Sequence, residues 1–187
     1  MAETSKSRPR REQEGFFVKY VQEPIIDIGV GRIDTYDGAD PLTPDCDTWD
    51  KDDGNAELMK SVKDNTYMTV YNSHLIEHLN DPITAIQNWY RICKPKGHII
   101  IAAPDRDSYE RKKTLPSQWN ADHKYFLTLN NNEPPCTFSL LGMIAYALDK
   151  HEYRIKYAQT INTCTNMDKS NEHGDGEYQI EVVIQKI

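Results

Sequence analysis

Apolar residues along this chain fall into short runs separated by polar segments marked by glycine or proline, the pattern of strands alternating with helices. The first run, Ile25-Ile26-Asp27-Ile28, ends in Gly29-Val30-Gly31 and predicts a strand closing in a tight turn. Further strands are expected over residues 36–39, near 48–51 and over 67–71. The link between the first two is shorter than the roughly dozen residues a βαβ crossover needs, so the first crossover helix is expected to be reduced. Asp81 and Pro82 suit the cap and first position of a helix reaching residue 93, with Ile83, Ile86, Tyr90 and Cys93 on one face. Pro95-Lys96-Gly97 then turns the chain into an unbroken apolar run, residues 98–103, that suits a central strand covered on both sides. Leu141, Ile144, Ala145 and Leu148 mark another helix, and residues 153–160 and 178–186 read as closing strands.

The 187 residues fit one α/β domain, expected over 15–187. Residues 1–14 are polar and charge-rich with nothing apolar to bury, so a disordered tail is expected there. So short a lead-in leaves no N-terminal helices to cover a substrate, and the site should be open or closed by a second copy in a homo-oligomer. Lys and Arg total 22 against 29 Asp and Glu, a formal charge of −7, which argues against nucleic acid and favours a small-molecule partner. The four cysteines, Cys46, Cys93, Cys136 and Cys164, lack C-x-x-C spacing and read as reduced thiols of a cytoplasmic protein. No apolar run approaches membrane-spanning length, so no membrane partner is expected.

Order along the chain carries the functional signal. After the glycine turn come Tyr36-Asp37-Gly38-Ala39-Asp40, Asp53-Gly54-Asn55-Ala56-Glu57-Leu58 and Asn72-Ser73-His74-Leu75-Ile76-Glu77-His78-Leu79. Then follow Asp81-Pro82, Trp89-Tyr90-Arg91-Ile92-Cys93-Lys94-Pro95-Lys96-Gly97 and Ile99-Ile100-Ile101-Ala102-Ala103-Pro104-Asp105. Over residues 24–105 this resembles the class I S-adenosylmethionine-dependent methyltransferases, in particular the small type-11-like group. There an E-H-L helix start and an R-x-L-K-P-G-G turn bracket the fourth and fifth strands. The resemblance implies a Rossmann-like, mostly parallel sheet with an antiparallel last strand. It also implies S-adenosylmethionine as cofactor and methyl transfer to an oxygen or nitrogen of a small metabolite or sugar-like acceptor. Two departures, Ile33 where the family has a third glycine and the short first connection, keep a catalytically silent binding module in view. Dinucleotide binding, the other use of such a turn, wants a full helix after the glycines, for which residues 32–35 leave no room.

By the resemblance, Asp27, Gly29 and Gly31 would meet the methionine moiety. Asp40 would accept hydrogen bonds from the ribose diol, since a carboxylate offers two acceptor oxygens. Asn55 and Ala56 would meet the adenine, and Ser73 and His74 would wall the methyl group. The segment between Pro104 and Pro135 is too long for an idle connection. Within it His123, whose ordinary pKa lies near neutrality, is the candidate base, with Asp105 or Asp122 to orient it.

No metal is expected. The eight aspartates between residues 34 and 53 miss EF-hand spacing, which would put Trp49 and Lys51 at ligand positions. His74 and His78 would share a helical face, but no carboxylate or third histidine is placed beside them by motif.

Overall fold

The computed structural model describes residues 3–31, 40–163 and 176–187. Its strands are β1 (Ile25–Ile28), β2 (Asp47–Trp49), β3 (Tyr67–Ser73), β4 (Cys93–Pro104), β5 (Phe126–Thr128), β6 (Thr137–Ser139), β7 (Tyr153–Asn162) and β8 (Tyr178–Lys186). Six of them form one sheet in the order β2-β1-β3-β4-β8-β7, and β5 and β6 form a small second one. β2, β1, β3 and β4 pair in parallel, whereas β8 runs antiparallel to both β4 and β7. This is the mostly parallel sheet with an antiparallel last strand that the motif order implies.

Alternation along the strands sorts the core into two layers. Ile26, Ile28, Val70, Ile99, Ile101, Val182 and Ile184 face one side, packed with Ile86, Trp89, Leu140 and Ile144. The last four come from α3 (Pro82–Ile92) and α4 (Leu140–Ala147). Asp81 caps α3 by accepting the Thr84 amide at 3.0 Å, and Pro82 opens it as expected. Its buried stripe is Ala85, Ile86, Trp89 and Ile92, so the expected face is rotated: Ile83 and Tyr90 are only partly covered.

The opposite face is smaller and more polar, with Ile25, Tyr71, Ile100 and Val183 packed on Phe16 and Leu42. Most of the link in which a reduced first crossover is expected, residues 32–35, lies outside the described residues. The strand expected over 36–39 lies outside the described residues. The neighbour of β1 is β2, close to where a third strand is expected.

What covers this face corrects the expected tail. Residues Glu3–Gln13 form helix α1, followed by α2 (Phe16–Tyr20). Helix α1 has no apolar stripe, and its buried side chains are Thr4, Ser7 and Arg11, at i, i+3 and i+7. Arg11 is fully buried and donates to Glu181 Oε2 at 3.0 Å and to Tyr71 Oη at 3.0 Å. Arg10 bridges Glu177 at 2.9 Å and Glu181 at 2.8 Å. A hydrophobicity pattern cannot reveal such a helix, because its partners are carboxylates on a strand near the other end of the chain.

Removing Arg11 leaves the buried Glu181 with Arg10 alone, and loss of one member of a buried ion network costs up to about 3–5 kcal/mol. Arg11→Met is therefore expected to lose about that much in urea unfolding, and Arg11→Met combined with Glu181→Leu to recover most of it. A double mutant no more stable than the single one would place the docking energy of α1 elsewhere.

Candidate functional site

The C-terminal ends of β1, β2 and β3 meet at one edge of the sheet, where open α/β folds bind ligands. After β1 the chain turns through Gly29 at φ 80° and Gly31 at φ 83°, values that favour glycine. A Cβ on Gly29 would come within 3.0–3.1 Å of the Leu75 side chain, so the turn needs glycine for space as well. The Gly29 amide donates to Trp49 O at 2.7 Å and the Gly31 amide to Asp50 Oδ2 at 3.0 Å, which ties the turn to the end of β2. Beside it opens a cavity of about 860 Å³ whose walls include Gly29, Gly31, Trp49, Asp50 and Asn55 on one side and His78 on the other. That volume is ordinary for a small-molecule or cofactor site.

The expected site residues divide. Gly29, Gly31, Asn55 and Ala56 line the cavity. Asn55 Oδ1 accepts the Glu57 and Leu58 amides, and Ala56 O accepts the Trp89 indole N–H. Asp27 lies beneath the turn, buried, accepting the Leu42 amide at 2.8 Å. Asp40 accepts the Ser5 amide at 2.7 Å and the Ser5 hydroxyl, so it anchors α1. Asp50 is the acid at a strand end beside the glycines. Sequence reading passes over it as one of eight crowded aspartates, and only its pairing partner β1 distinguishes it.

Ser73 and His74 end β3 on the side covered by α1. The Ser73 hydroxyl is buried without a hydrogen-bond partner, and His74 takes φ 51°. His74 Nε2 lies 3.3 Å from Gln179 Oε1, and the Gln179 amide donates to Ser7 of α1. Burial pushes the His74 imidazole down to about 4, so it is neutral near pH 7.

Past His74 a 3-10 turn, Ile76–His78, replaces the expected helix start, so His74 and His78 do not share a face. The turn is tied to the segment after β4: Lys124 N donates to Glu77 O at 3.0 Å and Tyr125 Oη to Ile76 O. This brings His123 against His78, with ring centroids 4.8 Å apart. His123 is buried, and its Nδ1 lies 2.6 Å from Glu110 Oε1. Glu110 Oε2 in turn accepts the Ser117 hydroxyl at 2.8 Å. The carboxylate on His123 is thus Glu110, whereas Asp122 sits on His78 Nδ1 at 3.1 Å. Asp105 accepts the Ser108 amide and hydroxyl and caps the turn Arg106–Glu110 that carries Glu110.

Between the two imidazoles lies Glu77, 1% exposed, with neither carboxylate oxygen hydrogen-bonded. Its Oε1 is 3.7 Å from His78 Nε2 and 3.8 Å from His123 Nε2. Burial pushes its carboxyl up to about 8. Sequence reasoning gives neither Glu77 nor Glu110 a role in the site, because His123 meets both by tertiary contact.

Comparison with known proteins gives one family. The model described as a methyltransferase domain matches residues 19–134. None of the curated proteins matches the sequence. Among solved structures, a S-adenosylmethionine-dependent methyltransferase of Archaeoglobus fulgidus superposes with a TM-score of 0.54 at 18% identity, over 99% of this chain and 94% of that one. Another, from Thermotoga maritima, gives 0.50 at 19% identity over 100% and 99%. A protein solved in work on thioacetal formation during echinomycin biosynthesis gives 0.58 at 11% identity over 96% and 81%. At these identities the likeness is one of fold.

Burial raises the Asp27 carboxyl from its ordinary 3.8 to about 7, against the opposing Leu42 hydrogen bond. Between those values the folded protein holds a proton that the unfolded chain has released, so stability should fall as pH rises from about 4 to 7. The Asp27 contribution to that decline is at most about 4 kcal/mol, and Asp27→Asn should remove it while leaving the falling contribution of Glu77 and the rising one of His74. Melting curves of both proteins across that range check this, and parallel curves would remove Asp27 as its source.

Proposed function

Because this chain belongs to the methyltransferase-domain family, whose methyl donor is S-adenosylmethionine, we propose that it methylates an oxygen or nitrogen of a small metabolite or sugar-like acceptor. The observation that carries the proposal is the single cavity joining the glycine turn and Asp50 to the histidine wall at His78.

The residues present suit the cofactor. Two left-handed glycines let a ligand approach the backbone at the strand edge, and Trp49 gives an apolar wall beside them. Asp50 has the carboxylate for the ribose diol, since it lines the cavity, whereas Asp40 does not and holds Ser5 of α1. When bound, the cofactor supplies an electrophilic methyl group on a sulfonium. The chain's own task is to position the acceptor and accept its proton. His123 suits that role: with Nδ1 held by Glu110, its Nε2 is presented towards Glu77 and His78. Helix α1 closes the sheet edge at His74, so the site needs no second copy to cover that side.

Calorimetry should detect S-adenosylhomocysteine and no NAD. Asp50→Ala should weaken binding by about 10- to 100-fold, as expected for losing a charged acceptor. Unchanged affinity in a folded variant would return the ribose to Asp40.

With labelled cofactor and a panel of sugars, amines and phenols to identify the acceptor, His123→Ala should lower turnover by roughly 10²-fold or more. S-adenosylhomocysteine affinity should stay within a few-fold, and wild-type turnover would exclude His123 from proton transfer.

A further inference from the structure

From the cluster around Glu77 we propose that this protein binds a divalent first-row transition ion, with Zn²⁺ as the representative, through Glu77, His78 Nε2 and His123 Nε2. One ligand atom from each of these residues lies within 4.8 Å of the others. Bonds of about 2.0–2.2 Å would draw them together by roughly another ångström or less.

Three observations point to an ion. Glu77 is buried with both oxygens unpartnered, an arrangement that costs free energy in the absence of a cation. Each histidine has a carboxylate on its Nδ1, Asp122 for His78 and Glu110 for His123. That pairing fixes the tautomer whose Nε2 lone pair faces Glu77, as is usual for metal-bound histidines. The supports are themselves held: Glu110 by Ser117, and the 3-10 turn carrying Glu77 and His78 by Lys124 N and Tyr125.

Two imidazoles and a carboxylate suit Zn²⁺, Fe²⁺ or Co²⁺ better than Mg²⁺ or Ca²⁺, which prefer oxygen. Three protein ligands leave a position open. Of the three ligands His78 lines the cavity, so the open position would be approached past His78. An acceptor hydroxyl bound there would lose its proton more easily, and His123 would then act as a ligand in place of a free base. Only this last consequence rests on the methyl-transfer reading. Sequence spacing conceals the site, because His123 enters it by tertiary contact.

The test is metal binding by the full chain without cofactor or acceptor. After chelator treatment and confirmation of native circular dichroism, titration with Zn²⁺ should give one ion per chain with a Kd below about 1 μM. Co²⁺ should give visible absorption bands of a low-coordinate histidine site. Glu77→Gln, which keeps the side-chain shape and removes the carboxylate ligand, should weaken Zn²⁺ binding by about 100-fold or more while melting no lower than wild type. Asp122→Ala, at an exposed residue acting only through His78, should weaken it by about 10-fold. Folded wild-type protein that takes up no stoichiometric Zn²⁺ at 10 μM overturns the proposal, as does wild-type affinity in Asp122→Ala or in folded Glu77→Gln. Either result leaves cofactor binding and methyl transfer to be judged separately.

Discussion

The buried guanidinium of Arg11 is the contact on which the second face of the sheet depends. Asp27, Tyr71 and Glu181 are all buried on this face. Helix α1 brings Arg11 onto Tyr71 and Glu181 while Arg10 holds Glu177 and Glu181. A buried ion pair of this kind adds little net stability over an apolar pair but penalises every arrangement that separates its charges. The N-terminal helix is thereby fixed in one orientation by geometry, without an apolar stripe of its own.

That docking reaches the site. Ser5 engages Asp40, Thr4 bonds to the Tyr71 hydroxyl, and Ser7 holds Gln179, which meets His74. The edge that opens towards the glycine turn on one side is therefore closed by α1 on the other. The positive-φ residues Gly29, Gly31 and His74 gather at the same edge, where β1 and β3 end. Left-handed backbone at a non-glycine residue costs of order 1–3 kcal/mol and persists where surrounding contacts over-determine it. For His74 those contacts include its own amide on Ala102 O and its ring on Gln179.

The two methyltransferases compared above superpose over nearly the whole of this chain while sharing under a fifth of their residues with it. A parallel sheet with its glycine turn at a strand end is a general cofactor platform, and the acceptor is chosen by the segments laid over it. In this chain α1 and the stretch from Asp105 to Tyr125 pack beside the ends of the strands. The latter bears Glu110, Asp122 and His123 and lies against the turn at Glu77. The cavity thus has a glycine side at the end of β1 and a side bearing His78 and Asp122.

Short-range signals sufficed for the sheet and its family. Each rests on residues adjacent in the chain: the apolar runs of β1, β3, β4 and β8, the cap at Asp81-Pro82, the glycines after β1 and the order of motifs. Hydrophobic period and turn chemistry are local properties, so they can be read from the chain alone. Tertiary structure decided what depends on charged partners far apart in sequence. It made residues 3–13 a docked helix, because Arg11 meets Glu181. It set Asp50 beside the glycine turn, because β2 pairs with β1 and the Gly31 amide donates to Asp50. It joined Glu77 and His78 to His123, because two loops from different strand ends pack together. Burial and pairing of polar groups follow from where the backbone brings them, and no spacing along the chain encodes that.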